Sequence, residues 1–486
     1  MKILLILFSS VVIPAYSQPT QKFTAHELQE DFKIFRGSLE DFHPGLYWYR
    51  SNEEMNEVFD RVQTSLTVPL TEKEFIRTLA PVISFFGCGH TWIVPPENGR
   101  SKKLLPLKLM LHNQRAFCRA NLSDDSLLIK PQDEILSING ISMDSLVSSL
   151  MRFLPGDGFI TTGKSFMLDN YFTDLYPQYF ETTDEFKLKI KEPNGHKKEV
   201  TLPSVSSEQI ALNTGSKKMA DPRNLTLQFD EGISTAILKV KRFFDWKEAG
   251  KTIRFESRLQ ELFDSIDSAA VDNLTIDVRN NGGGKVPWVL LSYFVDEEFV
   301  LARQADFIFS KKSPYYQYQK LHPAMRFLNR KWLHTWLPGS NKMKKKNDYT
   351  YTLTGLFMTN PYKPTKPQFK GAVYILTNGG SLSATSDFVA MMKSNRVAIM
   401  VGEETGGGYY GNTSMERSFV TLPNTKLMLE IPLVRHQLNV NPDVELGRGV
   451  EPDYYVPETL DDKLNNTNSQ LEYVLDLIKS ENNLKD

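Results

Sequence analysis

The stretch Val373-Tyr374-Ile375-Leu376-Thr377-Asn378-Gly379-Gly380-Ser381-Leu382-Ser383-Ala384-Thr385-Ser386-Asp387-Phe388 decides how this chain is read. An apolar β-type run breaks at a glycine turn and delivers small serines to the start of a helix. At a helix N-terminus the unpaired amides and the positive end of the macrodipole favour a developing oxyanion. Such a turn can therefore hold both an attacking hydroxyl and part of the charge stabilisation. The plainer alternative is that Ser381 or Ser383 caps the helix and does no more.

Around this stretch the pattern beyond Ser204 alternates strands and helices. Ile233 to Val240 is β-like, Ser257 to Ile266 helical, Asn273 to Val278 a buried strand, Ser383 to Met392 helical, and Val397 to Val401 a strand again. That alternation predicts an α/β core over residues 205–460, with helices against a largely parallel sheet of βαβ type. Arg303 to Pro364 interrupts it with aromatics and the basic run Lys342-Met343-Lys344-Lys345-Lys346, which reads as a solvated loop rim.

Upstream, Thr24 with Glu27 and Thr71 with Glu74 have capping-box spacing. Leu28, Phe32, Phe35 and Leu39 follow the first box at helical intervals, predicting a helical unit over residues 18–100. Residues 101–204 change to short β-like runs such as Ala116 to Ala120 and Phe186 to Ile190. Within them Asp133-Glu134-Ile135-Leu136-Ser137-Ile138-Asn139-Gly140 is a strand running into an Asn-Gly turn, with the helix-like Met143 to Leu150 behind it. This resembles the strand, turn and helix of PDZ-type domains, although Leu105-Pro106-Leu107-Lys108-Leu109 lacks a glycine-containing carboxylate-binding loop. Residues 461–486 close the chain as a C-terminal helix. The expected fold class is thus α/β and multidomain: a βαβ-type catalytic core, an N-terminal helical unit and an inserted PDZ-like β-rich domain.

Composition bounds the function classes. The chain has 486 residues, more than one hydrophobic core usually serves. With 41% hydrophobic and 24% charged residues it is globular material, and a formal net charge of −1 provides no global field for nucleic acid or an acidic membrane. Residues 1–17 read as a signal peptide: Lys2 is the positive start, Ile3 to Pro14 the apolar region, and Ala15-Tyr16-Ser17 a small-residue cleavage site before Gln18. No other apolar run approaches the roughly 20 residues of a spanning helix, so the expectation is an exported mature chain, periplasmic or secreted, without a transmembrane segment. Cys88 and Cys118 are read either as a disulfide or as buried thiols, with nothing to choose between them. Metal-ligand spacings are missing, and neither a metal nor an organic cofactor is expected.

Three more motifs stand beside the serine turn. Leu274-Thr275-Ile276-Asp277-Val278-Arg279-Asn280-Asn281-Gly282-Gly283-Gly284 is a buried strand ending in a glycine turn whose amides can face a ligand. A phosphate loop or a simple tight turn is the other reading, and the spaced glycines of a nucleotide fingerprint are absent. Phe85-Phe86-Gly87-Cys88-Gly89-His90-Thr91-Trp92 sets one histidine behind glycines, where a lone His is often structural. Gly402-Glu403-Glu404-Thr405-Gly406-Gly407-Gly408 follows the strand after the serine helix, and Gly447-Arg448-Gly449-Val450-Glu451-Pro452-Asp453 lies beyond it.

In their order these motifs resemble the C-terminal-processing (tail-specific) serine peptidases, with their tricorn-core and interphotoreceptor retinoid-binding relatives. The resemblance implies that Ser383 of Ser383-Ala384 is the nucleophile, and that the amides of Ala384 and of Gly282 or Gly283 form the oxyanion hole. Processing peptidases carry a lysine at the position of Gly408, so it implies no Ser-Lys dyad here, and Lys393 lies ten residues along the serine helix, facing elsewhere. The tricorn-like branch takes its base from the glycine-histidine-threonine motif, where His90 stands. Its relay glutamate corresponds most nearly to Glu445, one residue out of register, and His436 is the reserve base. Two departures stand next to His90: Cys88 replaces the usual aspartate, and Gly89 the serine of the tricorn core. The expected function is an exported serine peptidase acting on peptides or proteins through a Ser383 acyl-enzyme. The alternatives are a non-catalytic protein binding apolar ligands or peptides on the same fold, and an esterase.

Overall fold

A computed structural model describes residues 21–96, 102–125, 127–213, 223–248, 250–308, 312–320, 343–346, 350–353, 358–465 and 467–483. The expected signal peptide and Lys342 of the basic run lie outside the described residues.

A six-stranded sheet organises the C-terminal half, in the order Leu225–Asp230, Thr235–Val240, Asn273–Asp277, Ala372–Thr377, Ile399–Gly402, Tyr454–Tyr455. Its first pair is antiparallel and the other four pairings are parallel. Parallel strands need crossovers, and helix Phe255–Ala269 supplies the one between Thr235–Val240 and Asn273–Asp277. Side-chain alternation divides the sheet into two buried faces. Leu274, Ile276, Val373 and Ile375 pack with Leu259, Phe263 and Ile266 of that helix and with Phe388, Met391 and Met392 of helix Ala384–Ser394. Tyr374 and Leu376 pack on the other face with Val474 and Ile478 of helix Ser469–Asn483. The strand ends that precede the Gly282 and Ser383 turns are neighbours, Asp277 pairing with Leu376, so both glycine turns emerge side by side at the carboxyl edge.

A second, antiparallel sheet runs in the order Gln319–Lys320, Thr413–Thr421, Met428–Leu438, Ala302–Ile308, Thr350–Leu353, Met343–Lys345, with Trp92–Val94 paired to Met428–Leu438. Part of the segment read as an interruption therefore contributes strands. The basic run, expected as a loop rim, is strand Met343–Lys345 paired with Thr350–Leu353, its Lys344, Lys345 and Lys346 exposed.

Residues 107–203 form a third sheet, in which Leu107–His112, Arg115–Asn121, Glu134–Ile138, Glu185–Lys191 and Lys197–Pro203 pair antiparallel. Helices Met143–Phe153 and Thr162–Tyr179 accompany it. Asn139 and Gly140 both have positive φ, 50° and 83°, the requirement of a tight primed hairpin turn. At the N-terminus, helices Ala25–Phe42, Asn52–Ser65 and Glu72–Phe86 each open on a capping box, at Thr24/Glu27, Ser51/Glu54 and Thr71/Glu74. Among the described residues no helix is long and apolar enough to cross a membrane.

Candidate active site

Ser383 sits where the glycine turn meets helix Ala384–Ser394, and its backbone is held at φ 54°, ψ −126°. A non-glycine residue persists in such a conformation only where its surroundings impose it, at a cost of about 1–3 kcal/mol. Its side chain makes no capping hydrogen bond, so the capping reading does not apply to Ser383. It fits Ser381 better as a structural residue: fully buried, its Oγ donates to Val278 O at 2.9 Å and accepts from Asn378 N at 3.3 Å, tying the two glycine turns together.

The neighbouring turn is fixed by its asparagines. Asn281 Nδ2 donates to Val240 O at 2.9 Å, and Asn378 Oδ1 accepts from Asn280 N at 3.0 Å. Asn281 Oδ1 accepts from Gly283 N at 2.9 Å, so that amide is already engaged and Gly283 is not a free donor, contrary to one of the two options from sequence. Gly283 has a steric role instead. With φ 103°, a Cβ there would stand 2.9 Å from Ser383 Cβ and from Leu382 O. Gly282 faces open space, and it lines a cleft with Asn280, Gly283 and Leu382. The amides of Gly282 and Ala384 have no hydrogen-bond partner among the described residues, leaving two donors beside the serine turn.

The remaining motif residues brace these turns. Asp277 receives Arg279 through two bonds of 2.9 Å, and Arg279 Nη1 reaches Asn468 and Gln470 near the C-terminal helix. Gly407 packs so closely on Ser386 and on Ser383 N that a side chain has no room. Glu404 Oε1 accepts from Gly449 N at 2.8 Å, and Thr405 Oγ1 accepts from Val450 N at 2.8 Å, joining the two late loops. Lys393 is turned away, donating to Glu451 O and Asp453 Oδ1.

His90 leaves helix Glu72–Phe86 through Gly87, whose left-handed φ of 77° ends the helix, and is followed by strand Trp92–Val94. The loop is held by a directional line of hydrogen bonds. Gly45 N donates to His43 Nδ1 at 3.1 Å, so His43 Nε2 carries the proton and donates to Thr91 Oγ1 at 2.9 Å. Thr91 Oγ1 then donates to Cys88 Sγ at 3.2 Å, and Cys88 lies 2.7 Å from Thr413 Oγ1. Burial pushes His43 down to about 3, so it stays neutral. Cys88 and Cys118 are both free and buried, which decides the open cysteine question, and burial pushes the Cys88 thiol up to about 11.

His90 keeps part of its surface, yet its Nδ1 is buried without a hydrogen-bond partner among the described residues. Desolvation lowers its pKa; Asp157 and Asp387 act to raise it, while Arg417 and His436 lower it further. No hydrogen bond joins His90 to Ser383, as is common in an unliganded site. Asp387 lies one helical turn beyond Ser383, and its Oδ2 is 3.2 Å from Nε2 of the fully buried His436. The reserve base is thus committed to that carboxylate, and Asn412 Nδ2 contacts the other oxygen at 3.3 Å. Glu445 is exposed and acts on Arg448, and the structure does not bring it to His90. The carboxylates whose charge acts on His90 are Asp157 and Asp387, neither of which the motifs singled out. Asp387 was readable from the helical period; Asp157 sits in Pro155-Gly156-Asp157-Gly158, which reads only as a turn.

Gly282, Gly283 and Leu382 open onto a cleft of about 1110 Å³ lined also by Trp92, Leu104, Phe166, Tyr171, Arg242, Phe244 and Arg417. Its walls come from the helical unit, the third sheet's helices and the α/β core, so it is large enough and apolar enough to hold an extended chain segment.

Residues 234–456 match the model of peptidase family S41. The crystal structure of mature CPAF is similar in fold, with a TM-score of 0.62 at 15% identity over 94% of this chain and 97% of that one. Mature CPAF complexed with lactacystin gives 0.62 at 16% identity, over 94% and 98%. A putative peptidase from Parabacteroides merdae gives 0.46 at 14% identity, over 93% and 96%.

Proposed function

On the premise that this chain carries a peptidase family S41 domain and is a serine-type peptidase, we propose that Ser383 is its nucleophile and His90 its general base, in an exported enzyme. The observation that carries the reading is Ser383 itself: a strained, uncapped serine at a helix N-terminus, beside two unengaged amides. His90 takes the Oγ proton as Oγ attacks the substrate carbonyl; the oxyanion is received by the amides of Ala384 and Gly282. His90 returns the proton to the leaving amine, and water, deprotonated by His90, hydrolyses the acyl-enzyme. A lowered pKa keeps the His90 imidazole neutral near pH 7, the form that a base must have. The leader-like residues 1–17 support export. Peptides or proteins lying in the cleft are the substrates, and no metal or organic cofactor takes part in this reading.

The test is incubation of the mature chain with a mixed peptide library, with new termini identified by mass spectrometry. New termini that are absent with Ser383→Ala support the proposal. Turnover of small esters alone would move the assignment to an esterase, and binding of peptides or apolar ligands without turnover to a binding protein.

A further inference from the structure

Asp157 is the group in this molecule whose position is hardest to explain as packing. It is a carboxylate with 5% of its surface exposed, and no cation stands within 4 Å of it among the described residues. Burial raises its pKa, while the charge of His90 and the backbone of Gly89 and Gly408 pull it back toward the anion; a carboxylate so placed is a candidate for a functional charge. Its surroundings are backbone amides, the base loop with Cys88, and the Tyr49 hydroxyl, whose pKa its charge helps to raise. Oδ1 accepts from Gly89 N at 2.8 Å, the residue immediately before His90. The backbone of Gly408 also favours its anionic form. The flanking residues clamp the same loops: Gly158 N donates to Gly87 O at 3.0 Å and Phe159 N to Gly447 O at 2.8 Å. Gly89 is closed in, since a Cβ there would lie 3.1 Å from Oδ1.

We propose that Asp157 is the positioning carboxylate of His90: pinned to the base loop through Gly89, it holds that loop in register and stabilises the imidazolium that forms when Ser383 gives up its proton. This rests on the Ser383–His90 reading given above. The two groups do not share a hydrogen bond, so Asp157 acts on His90 by charge through a desolvated interior, where Coulomb energies exceed those in water. Of the charges facing His90, Arg417 and His436 oppose the imidazolium, and Asp387 is already engaged by His436 and Asn412. Asp157 is the carboxylate with no other side-chain partner among the described residues. Asp157 lies in the loop between helices Met143–Phe153 and Thr162–Tyr179, so the negative charge comes to the base loop from a different part of the chain.

Asp157→Asn keeps the acceptor for Gly89 N and removes only the charge. Fluorophosphonate labelling of Ser383, followed against pH on the mature chain, is the readout. The expected result is a drop of about 10- to 100-fold in labelling rate with an unchanged melting temperature, and an acid limb moved to lower pH, because the anion that raises the His90 pKa is gone. In a His90→Ala background the same substitution loses most of its effect, since the charge acts through the imidazole. If Asp157→Asn does not fold, Asp157→Ser, which keeps an acceptor for the amide, takes its place. Wild-type rate and an unmoved acid limb, or losses that multiply with His90→Ala, overturn the proposal and leave Asp157 a structural brace. Absence of Ser383 labelling in the wild-type chain, by contrast, overturns the underlying reading and this inference with it.

Discussion

Replacing Gly283 with alanine tests whether the glycine turn is built around Ser383, the proposed nucleophile. Two costs can be worked from the geometry. First, φ 103° is a backbone region that alanine avoids, worth about 1–3 kcal/mol. Second, the new methyl would stand 2.9 Å from Ser383 Cβ and Leu382 O, and 3.0 Å from Ala384 N. Carbon atoms prefer separations of about 3.5–4.0 Å, so something must yield by about 0.5–1 Å. The atoms that would yield belong to Ser383, the proposed nucleophile, and to one of the two unengaged amides. A misplacement of that size costs about 100-fold in rate, roughly 2.7 kcal/mol. Because Gly283 N already binds Asn281, the loss comes from displacement rather than from a missing donor. The assay is the rate of fluorophosphonate labelling together with a thermal melt. Labelling should fall by about 100-fold, and the melting temperature by about 2–12 °C for a domain of this size. Gly282→Ala adds a methyl that meets nothing within 4 Å and keeps its amide, so its loss should be far smaller. A Gly283→Ala protein with wild-type labelling and melting would refute the packing argument.

The strain at Ser383 predicts a trade between stability and activity: Ser383→Gly removes about 1–3 kcal/mol of backbone strain against about 0.5–1 kcal/mol of extra unfolded-state entropy, so it should be inactive yet melt above Ser383→Ala. A lower melting temperature for the glycine variant would count against that strain. His43 predicts the sign of part of the acid response. Below its unfolded pKa of 6.5 the unfolded chain binds a proton that the native imidazole, pushed down to about 3, refuses, so stability falls as pH drops through this window, by about 2 kcal/mol at pH 5. In His43→Gln the fall in melting temperature between pH 6.5 and 5 should shrink, and an unchanged slope would contradict the assignment.

The α/β core was legible because its signals are local. The apolar run Val373 to Thr377, the glycine turn and the helix behind it follow one another in the chain, and the tight turn at Asn139 and Gly140 is dictated by residues that tolerate positive φ. The antiparallel sheet was not read, because Met428–Leu438 is buried at eight of its eleven positions and so shows little strand alternation, and its partners Trp92–Val94 and Ala302–Ile308 lie far away in sequence. Capping boxes at Thr24 and Thr71 were read, while Ser51/Glu54 announced a third helix that went unread. At the site, Ser383 and His90 stand inside motifs, whereas Asp157 reaches the base loop only through tertiary packing, and the engagement of Gly283 N depends on which way Asn281 turns. Glu445 is the opposite case: the family resemblance, one residue out of register, put a carboxylate near the proposed base, but its side chain is exposed beside Arg448.

The central claim, that Ser383 is activated by His90, is tested most directly by mapping the fluorophosphonate adduct on the mature chain by mass spectrometry, in the wild type, Ser383→Ala and His90→Ala. The account predicts a single adduct on Ser383, lost in Ser383→Ala and formed about 1,000-fold or more slowly in His90→Ala. An adduct on another residue, or labelling of His90→Ala at the wild-type rate, would contradict it.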